Sequence, residues 1–309
     1  MKTVLLFSGQ GAQYPGMMRD VVDAYPAARE LFSLAKSELA RDVYEDVCSM
    51  SQGQLNETRN TQVCMLTCEL AGLRILRELR VPYDAVAGFS LGEWGAVVGS
   101  GVVSEQDALR FIVYRANAMQ RAVPAGEGAM AYMLGKDDDF VLRFCEEVGN
   151  VVPANYNIRG NVSVAGTAEG IERFLERGEQ DGLLVGRIPV SIPSHCWLMQ
   201  PAADELSSMI RTMKMKPPEK RLYMNVTGEP AAEVDQIRKG LTLQLTHPVM
   251  FRKTVDALLA DGFDTFIEVG PGSTLVKMVK KAAKQQGCSV RVMQTGSVEA
   301  IRKIEQAME

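Results

Sequence analysis

Short apolar runs and amphipathic helical stretches alternate along this chain, break step once, and then alternate again. That order leaves few folds open. Thr3–Phe7 is an apolar, β-rich run closed by glycine and is expected to be a buried strand. Pro26–Ala40 is expected to be a helix, with proline in its first turn and Leu31, Phe32, Ala35 and Leu39 on one face. A longer, largely apolar helix is expected over Thr61–Leu79, broken by Pro82, then a strand at Asp84–Phe89 and a helix from Glu93 to Val98. Ser104 with Asp107 resembles a capping box and opens a helix running to about Ala122. Such alternation predicts an α/β domain with a mostly parallel sheet.

After the linker Pro124–Gly128 the rhythm changes. Strands are expected at Ala129–Leu134, Val151–Asn155, Val162–Ala165 and Leu183–Val190, with helices at Asp137–Val148 and Ala168–Arg177. The order β-α-β-β-α-β is that of a ferredoxin-like unit. From Trp197 the α/β pattern resumes, with strands at Tyr223–Val226 and Thr265–Val269 and a helix at Ser273–Lys284. The expectation is a discontinuous large domain over 1–125 and 195–309, with a small domain inserted at 126–194.

Composition narrows the function classes. The 309 residues are 46% hydrophobic with a net charge of −4, enough for a sizeable core and contrary to the basic footprint of a nucleic-acid binder. The N-terminal apolar run is too short for a leader, and no apolar stretch approaches the roughly 20 residues that span a bilayer. A cytoplasmic protein away from membranes is expected. The six cysteines form no C-x-x-C pair, and no His/Cys/carboxylate group has metal spacing, so reduced thiols and no metal site are expected.

Gly88-Phe89-Ser90-Leu91-Gly92 has the G-x-S-x-G pattern between an expected strand and an expected helix. That is the context of a nucleophile elbow, where the helix N-terminus also offers backbone N–H groups to an oxyanion. The competing reading is a glycine turn with a passenger serine. A serine needs a base, and only His195 and His247 are available. His195 lies in a proline-bounded loop at the domain junction, whereas His247 precedes Pro248 and is expected to be a loop or cap residue. No Asp stands out as a third member, so a backbone carbonyl is one way to orient the imidazole. Arg115 sits mid-stripe among Ala108, Ile112 and Met119. Its partner is either a substrate carboxylate, which suits a guanidinium, or a structural acid in the core.

Gly9-Gln10-Gly11-Ala12-Gln13, Gly88–Glu93, Arg115 with Met119–Pro124, Pro193–Met199, Gln244-Leu245 with Pro248-Val249, and Glu268–Gly272 together resemble the malonyl-CoA:acyl-carrier-protein transacylases. The resemblance spans essentially the whole chain. It implies an α/β-hydrolase-like domain carrying a ferredoxin-like insert. It implies Ser90 as the acylated nucleophile, His195 as base, and an oxyanion hole from Gln10 and the Leu91 N–H. It further implies the Gln244 backbone carbonyl orienting His195, Arg115 holding the malonyl carboxylate, and Asn155 and Asn157 lining the cleft. Phe89 stands where the family usually has histidine, and Ser8 where it usually has proline.

On this reading the partners are malonyl-CoA and an acyl carrier protein, no cofactor is required, and a monomer is expected. Lys277, Lys280, Lys281 and Lys284 recur at helical spacing. They are either a solvated face or, with Lys280 and Lys281 foremost, a docking patch for an acidic carrier. A polyketide or malonate-decarboxylase setting, a serine esterase or thioesterase, and a non-catalytic carrier-binding subunit are the alternatives.

Overall fold

The computed structural model describes residues 2–190 and 192–308. Its strands are β1 (Thr3–Phe7), β2 (Ala85–Gly88), β3 (Gly128–Leu134), β4 (Val151–Ile158), β5 (Asn161–Thr167), β6 (Leu184–Ile188), β7 (Arg221–Tyr223), β8 (Pro230–Ala231), β9 (Thr265–Val269) and β10 (Arg291–Gln294). They form two sheets. The larger has the order β10-β9-β1-β2-β7-β8, parallel throughout except for the β7–β8 pair.

β1 lies inside this sheet and every residue of it is buried, as a strand covered on both faces requires. Its side chains divide between two cores. Leu5 and Phe7 join the core under the helices Pro26–Leu39, Thr58–Glu78 and Glu105–Ala122, while Val4 and Leu6 join that under Phe251–Ala260 and Thr274–Gln285. Phe7 is fully buried and lies against Gly95 and Gly99, so Phe7→Ala should cost about 3–5 kcal/mol.

The smaller sheet is antiparallel, in the order β4-β5-β3-β6. The helices Asp138–Val148 and Ala168–Gln180 cover one face, burying Met133, Val162, Val164, Phe144 and Phe174. The other face, with Met130, Ala154 and Ala165, packs on Cys196 beside His195. β4 is also bridged to the segment before the helix Phe251–Ala260: Val249 donates its N–H to Ala154 O at 2.9 Å and accepts from Tyr156 N at 2.9 Å. A cleft results, with the ends of the parallel strands on one side and the antiparallel sheet on the other.

One strand differs from expectation. The run expected at Tyr223–Val226 pairs only over Arg221–Tyr223, because the chain turns at once, Gly228 N–H returning to Met224 O at 2.8 Å. The turn frees Asn225 for the site below. β10 and the helix Val298–Met308 are not among the expected elements, although the helix is amphipathic and buries Ala300, Ile301 and Ile304.

Candidate active site

The turn after β2 is possible only because its flanking residues are glycine. A Cβ on Gly88 would lie 2.1 Å from Gly92 C, and one on Gly92 would lie 2.1 Å from Phe7 O. Ser90 takes φ of 53°, a left-handed conformation costing an L-residue about 1–2 kcal/mol. Asn225 clasps this turn. Its Oδ1 accepts from Ser90 N at 2.7 Å, its Nδ2 donates to Gly88 O at 2.7 Å, and its own N–H donates to Glu93 Oε1 at 2.6 Å.

Ser90 Oγ lies 2.7 Å from His195 Nε2, and His195 Nδ1 lies 2.8 Å from the Gln244 carbonyl oxygen. A carbonyl can only accept, so the proton sits on Nδ1 and Nε2 is free to receive the serine's. His195 is buried, and burial pushes its pKa down to about 4; the Arg115 charge pushes the same way, against the Gln244 carbonyl. The imidazole is therefore neutral at neutral pH, the form a base requires. His195 also has a positive φ, 64°. His247 contacts Leu243 O at 3.0 Å, outside the pair.

Arg115 is buried, and its guanidinium donates to Gln62 Oε1 at 2.6 Å and Gln244 Oε1 at 2.8 Å. Because arginine can only donate, Gln244 must turn its oxygen to it and its Nε2 the other way. That Nε2 donates to Ser90 O at 2.8 Å and Glu93 Oε2 at 2.6 Å. One glutamine thus touches nucleophile, base, cation and acid. Burial lowers the Arg115 pKa to about 10, still charged at neutral pH, and raises that of Glu93 to about 7. Among the described residues no carboxylate bonds Arg115 directly, and Glu93 is linked to it through the Gln244 amide.

The cleft above Ser90 has a volume of about 230 Å³ and is lined by Gln10, Gln62, Phe89, Met119, Asn155 and Asn157, among others. Gln10 donates to Thr58 Oγ1 at 3.4 Å, and Leu91 occupies the first turn after the nucleophile. Phe89 packs edge-on against Phe251, with 5.4 Å between ring centroids, and its ring lies against Gly9. Asn157 Nδ2 donates to Asn161 Oδ1 at 3.0 Å and Ser163 Oγ at 3.1 Å, while its buried Oδ1 has no partner among the described residues. Lys280 and Lys281 lie outside the cleft. The helix Thr274–Gln285 turns Leu275 and Met278 to the cleft and Lys277 and Lys280 to a separate hollow of about 440 Å³. Among the described residues no group of three His, Cys, Asp or Glu is placed to hold a metal, and no helix is long and apolar enough to cross a membrane.

Sequence reasoning missed Asn225, Gln62, and the Glu93 and Gln244 side chains. Asn225 stands inside the run Leu222–Val226, with no spacing to mark it out.

Residues 4–303 match the family model described as "Acyl transferase domain". The malonyl CoA-acyl carrier protein transacylase of Bacillus subtilis (strain 168) is 36% identical over 289 residues, 92% of this chain and 91% of the relative. That of Escherichia coli (strain K12) is 37% identical over 281 residues, 89% of this chain and 91% of the relative. The structure of the Coxiella burnetii malonyl CoA-acyl carrier protein transacylase superposes with a TM-score of 0.94 at 32% identity, covering 99% of this chain and 97% of that one. A malonyl-transacylase solved in complex with its type II polyketide acyl-carrier protein gives 0.94 at 31% identity, covering 99% and 100%. The chain belongs to the acyl transferase domain family, among the malonyl CoA-acyl carrier protein transacylases.

Proposed function

We propose that this chain moves a malonyl group from coenzyme A to the phosphopantetheine thiol of an acyl carrier protein through an ester on Ser90. The observation that carries the reading is the 2.7 Å contact between Ser90 Oγ and a neutral His195 whose other nitrogen is fixed on the Gln244 carbonyl.

In the first half-reaction Ser90 Oγ attacks the thioester carbonyl as its proton passes to His195 Nε2. The tetrahedral oxyanion is met by Gln10 and the Leu91 N–H, and its collapse expels the coenzyme A thiolate, which takes the proton from His195. The carrier thiol then repeats the sequence in reverse: it gives His195 its proton, attacks the ester and releases Ser90. Arg115 takes the free malonyl carboxylate with donors beyond the two spent on Gln62 and Gln244. It thereby holds the ester in one pose and discriminates against acetyl groups. Asn155 and Asn157, which line the cleft, present amide groups to the pantetheine arm.

The carrier docks on the cationic face at Lys280 and Lys281, on the helix whose Leu275 and Met278 line the cleft. The large domain takes 1–125 and 195–309 and the small one 126–194, and the protein acts as a cytoplasmic monomer. An esterase would share Ser90 and His195 but gives no role to the Arg115–Gln244 arrangement. The test is an assay of labelled malonyl-CoA with holo carrier protein. Transfer to the carrier should exceed hydrolysis and vanish in Ser90→Ala; transfer persisting in that variant refutes the reading.

A further inference from the structure

Glu69 lies within the helix Thr58–Glu78, fully buried, and neither carboxyl oxygen has a hydrogen-bond partner among the described residues. A buried acid without partners is rare enough to need a reason. The space it fills exists because two neighbours are glycine: a Cβ on Gly95 would lie 2.7 Å from Glu69 Oε2, and one on Gly270 would lie 2.8 Å from Glu69 Cγ. The same Gly270 position is 3.6 Å from Ser8 Oγ.

Ser8 is the residue that departs from the family's usual proline, and its hydroxyl meets Glu268 Oε1 at 3.2 Å. The other oxygen of Glu268 accepts from Val276 N at 3.0 Å. Glu268 therefore joins the stretch leading into Gly9-Gln10 to the first turn of the helix whose Leu275 and Met278 wall the cleft.

Two neighbouring buried carboxyls do not both ionise readily, and the pair keeps a proton above the ordinary carboxylate range. Glu268 has a hydroxyl and a helix N-terminus to stabilise its anion; Glu69 has neither, so the proton belongs on Glu69. Near it are Glu268 on β9 and, across the Gly270 position, Ser8 after β1, with Cys68 adjacent on its own helix. Glu93, on the same helix as Gly95, is turned to Asn225 and Gln244. Among the described residues no cation belongs to this group. Burial first, and the Glu268 charge second, hold Glu69 well above the ordinary carboxylate range.

We propose that Glu69 is a positioning residue for the Gly9-Gln10 loop and works only as the neutral acid. While it keeps its proton, Glu268 is the single anion tying Ser8 to the cleft helix. Once the proton leaves, two anions share that space and the loop loses its seat. This rests on the reading of Gln10 as an oxyanion donor.

The test is the single-turnover rate of Ser90 acylation by malonyl-CoA across alkaline pH, in the wild type and in Glu69→Gln. The wild-type rate should fall about tenfold per pH unit once Glu69 ionises, while the variant keeps the wild-type neutral rate and loses that fall. Superimposable alkaline limbs, or a folded variant inactive at every pH, overturn the proposal. Absence of any Ser90 adduct in the wild type would instead overturn the acyl-enzyme reading. Should the variant not fold, infrared spectra of the wild type decide. A protonated-acid carbonyl band should persist well above pH 7, where Glu93 has ionised; its absence there overturns the proposal.

Discussion

The two walls of the cleft are built on opposite principles. On the parallel-sheet side nearly every polar group is committed: Asn225, Gln244, Glu93, Arg115 and Gln62 form one connected network around Ser90 and His195, both of which hold positive φ. On the antiparallel-sheet side the cleft is lined by Met130, Ile188 and Val190 with Asn155, Asn157 and Ser163 between them, and the buried Asn157 Oδ1 has no partner among the described residues. A satisfied, strained wall fixes atoms to within a few tenths of an ångström, as bond making demands. A largely apolar wall suits a flexible arm that must enter and leave.

If this division of labour holds, substitutions should grade by wall. The largest effect belongs to the base. His195→Ala should slow Ser90 acylation roughly ten-thousand-fold while leaving circular dichroism unchanged, a comparison of rapid-quench rates with spectra. Arg115→Ala should follow, lowering malonyl transfer about a hundredfold and acetyl transfer much less, because a charge-assisted hydrogen bond is worth about 1.5–3 kcal/mol. Equal losses for both acyl groups would return Arg115 to a structural role.

The network's electrostatics can be sharpened by pH. Glu93 has its folded pKa raised to about 7, so its contribution to stability is present below the unfolded value of 4.5 and is lost as pH rises toward 7. His195, lowered from 6.5 to about 4, runs the other way: its contribution is present above 6.5 and is lost as pH falls toward 4. Glu93→Gln removes the first and exposes the second. Relative to the wild type, its urea-unfolding free energy should climb between pH 4.5 and 7 by at most about 1 kcal/mol per unit, then level off. A difference independent of pH would place the Glu93 proton elsewhere.

The smallest effect is expected on the antiparallel wall. Asn157→Ala should raise the KM for both malonyl-CoA and the carrier about fivefold, near 1 kcal/mol, with kcat retained. A loss in kcat instead would erase the contrast between the walls.

How far the sequence discloses such a site depends on whether a residue's role is local. The elbow was legible because its glycines answer to the turn itself, and β1 because a strand covered on both faces must be apolar throughout. The β-α-β-β-α-β order likewise emerges from periodicity alone. Asn225, Gln62 and the Gln244 side chain were not legible: each acts across more than fifty residues of chain on a partner no spacing rule predicts. The strand expected at Tyr223–Val226 was placed too far along the chain for the same reason, the observed one being Arg221–Tyr223. Its apolar run suggests a strand, whereas Asn225 is bound to the nucleophile's backbone. Arg115 was legible as an anomaly, but its two glutamine partners were not.

The central claim is that the Ser90 hydroxyl, activated by His195, carries the acyl group between two thiols. Intact-protein mass spectrometry after mixing with malonyl-CoA, followed by peptide mapping, tests it most directly. The account predicts one malonyl adduct on the peptide containing Ser90, discharged when holo carrier protein is added. An adduct on one of the cysteines, or transfer to the carrier with no covalent species at Ser90, would contradict it.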